Sequence, residues 1–321
     1  MKPTASISLD LDNLWSYLKT RGGDDWVSYP SYLDLLIPMV LDFLDFRDQR
    51  ITFFIVGQDA TLPANTAALK QLGKSGHEVG NHSFKHEPWL HRYTPEAVRE
   101  ELSSAHHAIA EATGIAPRGF RGPGFSVTSV VLNTLADLGY EYDASTFPTY
   151  IGPLARAYYF MSSNLSREQK EDRDELFGSV SDGLRPIRPY VWQLDARRLL
   201  EIPVTTMPGI KAPFHLSYVL YLSTYSPKLA RTYFRTALQA CRLAGVEPSL
   251  LLHPLDFLGG EEAPGLDFFP AMRVSGRLKR ERVAEYLSDY QSLFDVVPMG
   301  EHARALRTRD DLLVRKPDFV V

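Results

Sequence analysis

Two histidines four residues apart, in His82-Ser83-Phe84-Lys85-His86, and two aspartates two residues apart, Asp10 and Asp12, are the residues best suited to chemistry in this chain. Two imidazoles at that spacing reach one ion where the backbone makes a helical turn. Side chains at i and i+2 on a strand point to the same face. Two histidines and one aspartate can hold a divalent cation and leave a coordination position for water, which is the logic of a hydrolytic centre. Amide hydrolysis sets three tasks. The carbonyl must be polarised, a carboxylate must take the proton of water, and a second group must protonate the departing nitrogen.

Positioning such groups requires a framework, and the chain alternates short apolar runs with helical patterns. Strands are predicted at 6–10, 51–56, 77–82, 119–121, 140–144, 199–204, 249–253 and 294–297. Helices are predicted at 32–46, 65–74, 94–112, 126–138, 215–243 and 275–293. Thr94 and Pro95 supply an N-cap and first-turn pair, and Gly114 supplies a stop. This rhythm predicts an α/β fold with a parallel sheet and helices outside. Asp10, Asp12, His82, Arg121, Asp143 and His253 all fall at or just past a predicted strand's C-terminal end, the end that carries the site in α/β barrels. Between 148 and 190 the rhythm breaks, and we read this segment as an insertion, a lid or a surface excursion.

The ordered motifs resemble the polysaccharide deacetylase superfamily, also called the NodB-homology or carbohydrate esterase 4 fold. They are Ser8-Leu9-Asp10-Leu11-Asp12, Thr52-Phe53-Phe54-Ile55-Val56-Gly57, the run from Gly76 to His86, Gly119-Phe120-Arg121-Gly122-Pro123-Gly124, Gly139 to Asp143, and Leu251-Leu252-His253-Pro254. The resemblance implies a distorted (β/α) barrel of about seven parallel strands with an insertion after the fifth. It implies one domain over 1–321, with an inserted segment at about 148–190 and a C-terminal extension from about 300. It also implies one divalent metal ion, zinc first, with nickel or cobalt as alternatives. Asp12, His82 and His86 match the metal ligands, Asp10 the general base, Arg121 the residue that orients that base, and His253 the general acid.

Two departures stand out. Leu11 separates aspartates that are adjacent in the common family form, a spacing similar to that of the branch acting on lipid-linked aminosugars. The Arg-Xaa-Pro-Tyr form is replaced by Arg121-Gly122-Pro123-Gly124, with Phe125 as the nearest aromatic. Asp143 either supports His253 or caps its strand end. Trp89, Phe125 and Phe147, beside the motifs, are either walls for sugar rings or core packing.

Composition narrows the partners. With 321 residues, 44% hydrophobic, 23% charged and a formal net charge of −4, the chain gives no reason to expect nucleic acid. A single cysteine, Cys241, sits in a helical pattern and reads as a buried small hydrophobe. No secretory signal or apolar membrane-spanning run is visible, so the expected location is cytoplasmic. The aromatic run 213–222 is an ordinary barrel helix or a surface for a lipid tail at the membrane periphery. Oligomeric state is left open. The expected activity is metal-dependent removal of an N-acyl, in the first place N-acetyl, group from a saccharide or lipid-linked sugar. Hydrolysis of a non-sugar amide in the same fold and a non-catalytic metal- or glycan-binding module are the alternatives.

Overall fold

The computed structural model describes residues 2–22, 24–152, 180–317 and 319. In chain order its strands are β1 (Thr4–Leu11), β2 (Thr52–Ile55), β3 (Glu78–Asn81), β4 (Gly119–Phe120), β5 (Tyr142–Asp143), β6 (Tyr190–Gln193), β7 (Arg198–Glu201), β8 (Ser249–Leu252), β9 (Asp295–Val297) and β10 (Leu313–Arg315). The helices that matter below are α1 (Leu14–Arg21), α2 (Leu33–Asp45), α3 (Gly57–Thr61), α4 (Thr66–Lys74), α5 (Pro95–Thr113), α6 (Ser129–Asp137), α7 (Leu216–Tyr225), α8 (Pro227–Leu243), α9 (Gly276–Leu293) and α10 (Met299–Arg307).

The alternation in β1 shows how the sequence builds this fold. Ala5, Ile7, Leu9 and Leu11 face outward into the main hydrophobic core. Burial of each larger side chain stabilises the fold by roughly 1.5–3 kcal/mol. The alternate residues Ser6, Ser8 and Asp10 face the barrel axis, where they meet His302 and Arg121.

Seven strands run parallel in the order β7-β5-β4-β3-β2-β1-β8. Thr205, just past β7, donates its N–H to the Ser249 carbonyl at 3.1 Å, and its hydroxyl accepts the Ser249 N–H at 2.8 Å. The two outermost parallel strands thus meet through one residue pair rather than a ladder. Beyond β7 the sheet continues with antiparallel β6 and then β10, while β9 pairs the start of β1.

The axis is filled by Phe54, Tyr142, Ala144, Leu200 and Ile202, which pack on Met299, Ala303 and Leu306 of α10. Two glycines make room for the rings. A Cβ on Gly80 would lie 2.4 Å from Phe54 Cδ1, and one on Gly119 would lie 2.0 Å from Tyr142 Cζ. Helix α10 closes the N-terminal ends of the strands, with Met299 N–H donating to Thr52 Oγ1 at 2.8 Å and Gly300 N–H to Glu78 Oε2 at 2.7 Å. The C-terminal segment from about 300 therefore enters the barrel core.

Helix α5 carries the Thr94 cap, Pro95 in its first turn and a left-handed Gly114 at its end, as the spacing predicts. The helix predicted over 215–243 is two helices. Ser226 ends α7, caps α8 by accepting the Leu229 N–H at 3.3 Å, and is followed by Pro227, which has no N–H to continue the first helix. Leu216, Val219 and Leu220 of α7 are buried, as a barrel helix requires. The insertion at 148–190, and its reading as a lid, falls mostly on 153–179, outside the described residues. Among the described residues no helix is long and apolar enough to cross a membrane.

Candidate active site

The C-terminal ends of the parallel strands bring the chemistry-bearing residues together. Asp10 is the penultimate residue of β1 and Asp12 lies just past its end. His82 follows β3, Arg121 follows β4 and His253 follows β8. Ligand atoms of Asp12, His82 and His86 lie within 4.8 Å of one another, and among the described residues they form the one such group of three. His86 Nε2 is 2.9 Å from Asp12 Oδ1, and His82 Nε2 is 3.3 Å from the same oxygen.

The two histidines do not sit on a helical turn. Residues 82–86 form a bend with left-handed backbone at Ser83 (φ 62°) and His86 (φ 54°). Buried partners hold that bend. Glu101 of α5 accepts the N–H groups of Phe84 at 2.9 Å and Lys85 at 2.6 Å. Asn81 accepts the Ser83 N–H at 2.8 Å, and the Ser83 hydroxyl accepts the His86 N–H at 3.2 Å.

The atoms present fit a divalent cation. Asp12 Oδ1 is buried and has no hydrogen-bond donor, although both Nε2 atoms face it. His82 Nδ1 lies 2.7 Å from the Arg121 carbonyl, which can only accept, so Nδ1 carries the hydrogen and Nε2 can present its lone pair. Burial works to raise the Asp12 carboxyl, but His86 and His82 outweigh it and hold it well below the ordinary carboxylate range. Burial works to lower the His82 imidazole, and the charges of Asp10 and Asp12 reverse that effect and raise it. The pocket thus favours positive charge between these groups.

Arg121, fully buried, grips Asp10 with Nη1 at 3.2 Å from Oδ1 and 3.1 Å from Oδ2, and reaches Ser8 Oγ at 3.4 Å. The Asp12 turn is pinned separately. Asp59 Oδ1 accepts Asn13 Nδ2 at 2.7 Å and Trp15 Nε1 at 2.8 Å, and the Tyr32 hydroxyl donates to the Asp12 carbonyl at 2.6 Å.

At the end of β8, His253 Nδ1 lies 3.1 Å from Ser217 Oγ, and Ser217 donates to Asp256 Oδ1 at 2.8 Å. A row of rings leads to it. Phe125 and Phe147 are 4.8 Å apart by centroid, Phe147 and His215 5.6 Å, and His215 and His253 5.7 Å. Phe125 and Phe147 are half-buried, and the Arg121 guanidinium lies 6.0 Å from the Phe125 ring. Trp89, also half-buried, lies in the turn three residues past His86.

Asp143 takes a different environment from His253. It accepts the Ser145 hydroxyl at 2.5 Å and pairs in register with Glu201 across β5 and β7. Burial raises both carboxyls, Glu201 further because Asp143 faces it.

Sequence reasoning missed Glu101, Asp59, Ser217, His215, Asp256 and Glu201. Asp256 had a readable signal: His253-Pro254-Leu255-Asp256 has capping-box spacing, and its carboxylate half forms, with His253 N–H donating to Asp256 Oδ2 at 2.8 Å while the Asp256 N–H donates to the His253 carbonyl at 3.0 Å. Glu101 had none, since an acid in mid-helix reads as a solvated face.

Residues 29–142 match the family model for polysaccharide deacetylase, a stretch that holds His82, His86 and Arg121. The chain is 39% identical over 104 residues to a chitooligosaccharide deacetylase of Bradyrhizobium sp. (strain ANU 289), covering 32% of this chain and 46% of that one. It is 25% identical over 197 residues to a peptidoglycan deacetylase of Helicobacter pylori, covering 58% of this chain and 64% of the other. Each match spans less than two thirds of the relative's length. A solved structure from Mycobacterium smegmatis, provisionally named a polysaccharide deacetylase, superposes with a TM-score of 0.64 at 19% identity, covering 100% of this chain and 95% of that one. Over residues 29–142 the chain is thus similar to the polysaccharide deacetylases, and its fold is similar to that of the Mycobacterium smegmatis structure.

Proposed function

We propose that this chain hydrolyses the N-acetyl amide of an aminosugar within a saccharide or lipid-linked glycan. The observation that carries this reading is the Asp12, His82 and His86 group beside the Arg121-bound Asp10, with Asp12 Oδ1 buried and unbonded. Asp12, His82 and His86 would hold a divalent cation, zinc in the first place. Such an ion supplies Lewis acidity at a carbonyl oxygen and a water that ionises near neutral pH. Asp10 takes the proton of the attacking water on a carboxylate oxygen. Arg121 holds that carboxylate in one orientation through both of its oxygens. His253, at the C-terminal end of β8 beside β1, returns a proton to the departing nitrogen. The half-buried rings of Phe125 and Phe147 form an apolar wall on which a sugar face packs. The relatives named for chitooligosaccharide and peptidoglycan deacetylation support a saccharide substrate.

Two measurements test this. Metal content is determined in protein purified without added metal, beside His82→Ala; we expect about one divalent ion per chain, lost in the variant. Acetate release is then followed over a panel of N-acetylated oligosaccharides and lipid-linked aminosugars. Metal-loaded protein that frees acetate from none of them rules out the deacetylase reading.

A further inference from the structure

The stretch 213–222 contributes more than packing to this site. Ser217, in the first turn of α7, stands between His253 and Asp256, 3.1 Å from His253 Nδ1 and 2.8 Å from Asp256 Oδ1. Asp256 is 2% exposed, and its other oxygen accepts the His253 backbone N–H at 2.8 Å. A serine hydroxyl has one proton to give, and an ionised carboxylate can only accept. With Asp256 ionised, the Ser217 proton is committed to Oδ1. Ser217 Oγ can then meet His253 Nδ1 only as an acceptor, so Nδ1 must carry a hydrogen. Nε2 is left as the nitrogen free to exchange a proton.

We propose that Ser217 and Asp256 form a hydroxyl-bridged relay that locks His253 in the Nδ1–H tautomer and reserves Nε2 for the substrate nitrogen. The role of Nε2 rests on the deacetylase reading; the lock itself does not. In the step concerned, doubly protonated His253 gives its Nε2 proton to the leaving nitrogen as the C–N bond breaks. It ends as the neutral Nδ1–H imidazole, still bonded to Ser217. Ser217 and Asp256 are positioning residues, since they act through His253.

The surroundings bear on this relay. Burial raises the Asp256 carboxyl, against the pull of His253, of the Ser217 hydroxyl and of Lys279. Lys279 is buried, and its ammonium donates at 2.8 Å to the carbonyls of Leu255 and Leu258, on either side of Asp256. Tyr17 also faces Asp256. His215, packed beside His253, is pushed well down by burial, by His253 and by Arg121, so it stays neutral and does not compete as the proton carrier. A protonated Asp256 would free Ser217 to donate to Nδ1 and would favour the opposite tautomer, so the two states are distinguishable.

The test is long-range 1H–15N correlation on the uniformly 15N-labelled full chain in chelator, at a pH where the histidines are neutral. His253 is assigned by its loss in His253→Gln. We expect a protonated Nδ1 and a bare Nε2 in the native chain, a shift toward Nε2–H or a mixture in Ser217→Ala, and recovery in Ser217→Thr. A native Nε2–H, or a Ser217→Ala spectrum unchanged from native, overturns the lock. In turnover, Ser217→Ala is expected to lower kcat by about 10–100-fold with KM little changed, by analogy with removal of the outer partner of a metal-ligating imidazole, and Ser217→Thr to restore it. A change in KM alone overturns the role given to Nε2. A locked tautomer in a metal-loaded chain that frees no acetate also overturns that role, and leaves the lock standing.

Discussion

Arg121 and Asp10 are coupled strongly enough to be measured directly. Arg121 is fully buried and Asp10 is 4% exposed, so neither charge has water as an alternative partner. Replacing Arg121 with Met keeps much of its length and its contact with the Phe54 ring, which now lies 5.0 Å from the guanidinium. It also keeps the Arg121 carbonyl that orients His82. What it removes is the charge that compensates Asp10. Breaking one partner of a buried ion pair costs about 3–5 kcal/mol, because the survivor is left buried and unpaired. Asp10→Asn in the same background removes that stranded charge, so the double variant should recover about 1–3 kcal/mol relative to the sum of the single changes. The assay is urea unfolding of the four proteins at pH 7 in chelator, with circular dichroism confirming native structure at zero denaturant. Additivity within about 0.5 kcal/mol would refute the idea that Arg121 exists to hold the Asp10 carboxylate. Arg121→Lys keeps charge but loses the planar fork, so it should retain more stability than Met while losing much of any turnover.

Two further outcomes follow from the framework. Burial raises the Asp59 carboxyl from its ordinary 3.8 to about 7, so the folded state prefers the protonated acid. Its stabilisation is complete below the unfolded value and falls as pH rises toward about 7, a loss of ~4 kcal/mol at 1.36 kcal/mol per pH unit. Asp59→Asn keeps an acceptor for Asn13 and Trp15 and places its amide at the unpartnered Oδ2 position. Urea midpoints of the metal-free chain at pH 4.5 and 8 should therefore diverge less in the variant, and equal slopes in both proteins would exclude this assignment. Gly119→Ala drives a methyl to 2.0 Å from the Tyr142 ring and should cost about 1–3 kcal/mol by overpacking. A thermal midpoint within a degree of the native one would show that Tyr142 has room to move.

The fold was legible where local chemistry and tertiary placement agree. The polar–apolar alternation of 4–12, the Thr94-Pro95 cap and the Gly114 stop each specify their element alone. Strands at the barrel floor and rim were harder. Strand β6 begins at Tyr190, where the stretch read as insertion ends, and Tyr190 and Trp192 count as strand residues because β7 and β10 flank them. The long helix at 215–243 failed for a local reason, since Ser226-Pro227 is itself a cap signal inside a continuous helical pattern. The candidate site was legible as a set of donors, while its supports were not. Glu101 sits in an ordinary helical run of acids, and only its reach across to the Phe84 and Lys85 amides reveals what it does.

The Asp10-Leu11-Asp12 spacing resolves in the same physical terms. Asp10 is the last inward residue of β1, and Leu11 turns its side chain into the outer core. The chain then tightens, with the Asp12 N–H bonded to the Asp10 carbonyl at 2.9 Å across Leu11. That tight turn brings Asp12 back to the rim, against His82 and His86, while Asp10 stays one layer deeper on Arg121. Adjacent aspartates would have to point to opposite faces of a regular strand unless it broke between them. Here the strand ends after the intervening leucine, and that leucine is an anchor. Its burial fixes the height difference between the carboxylate that faces the two histidines and the carboxylate that Arg121 holds.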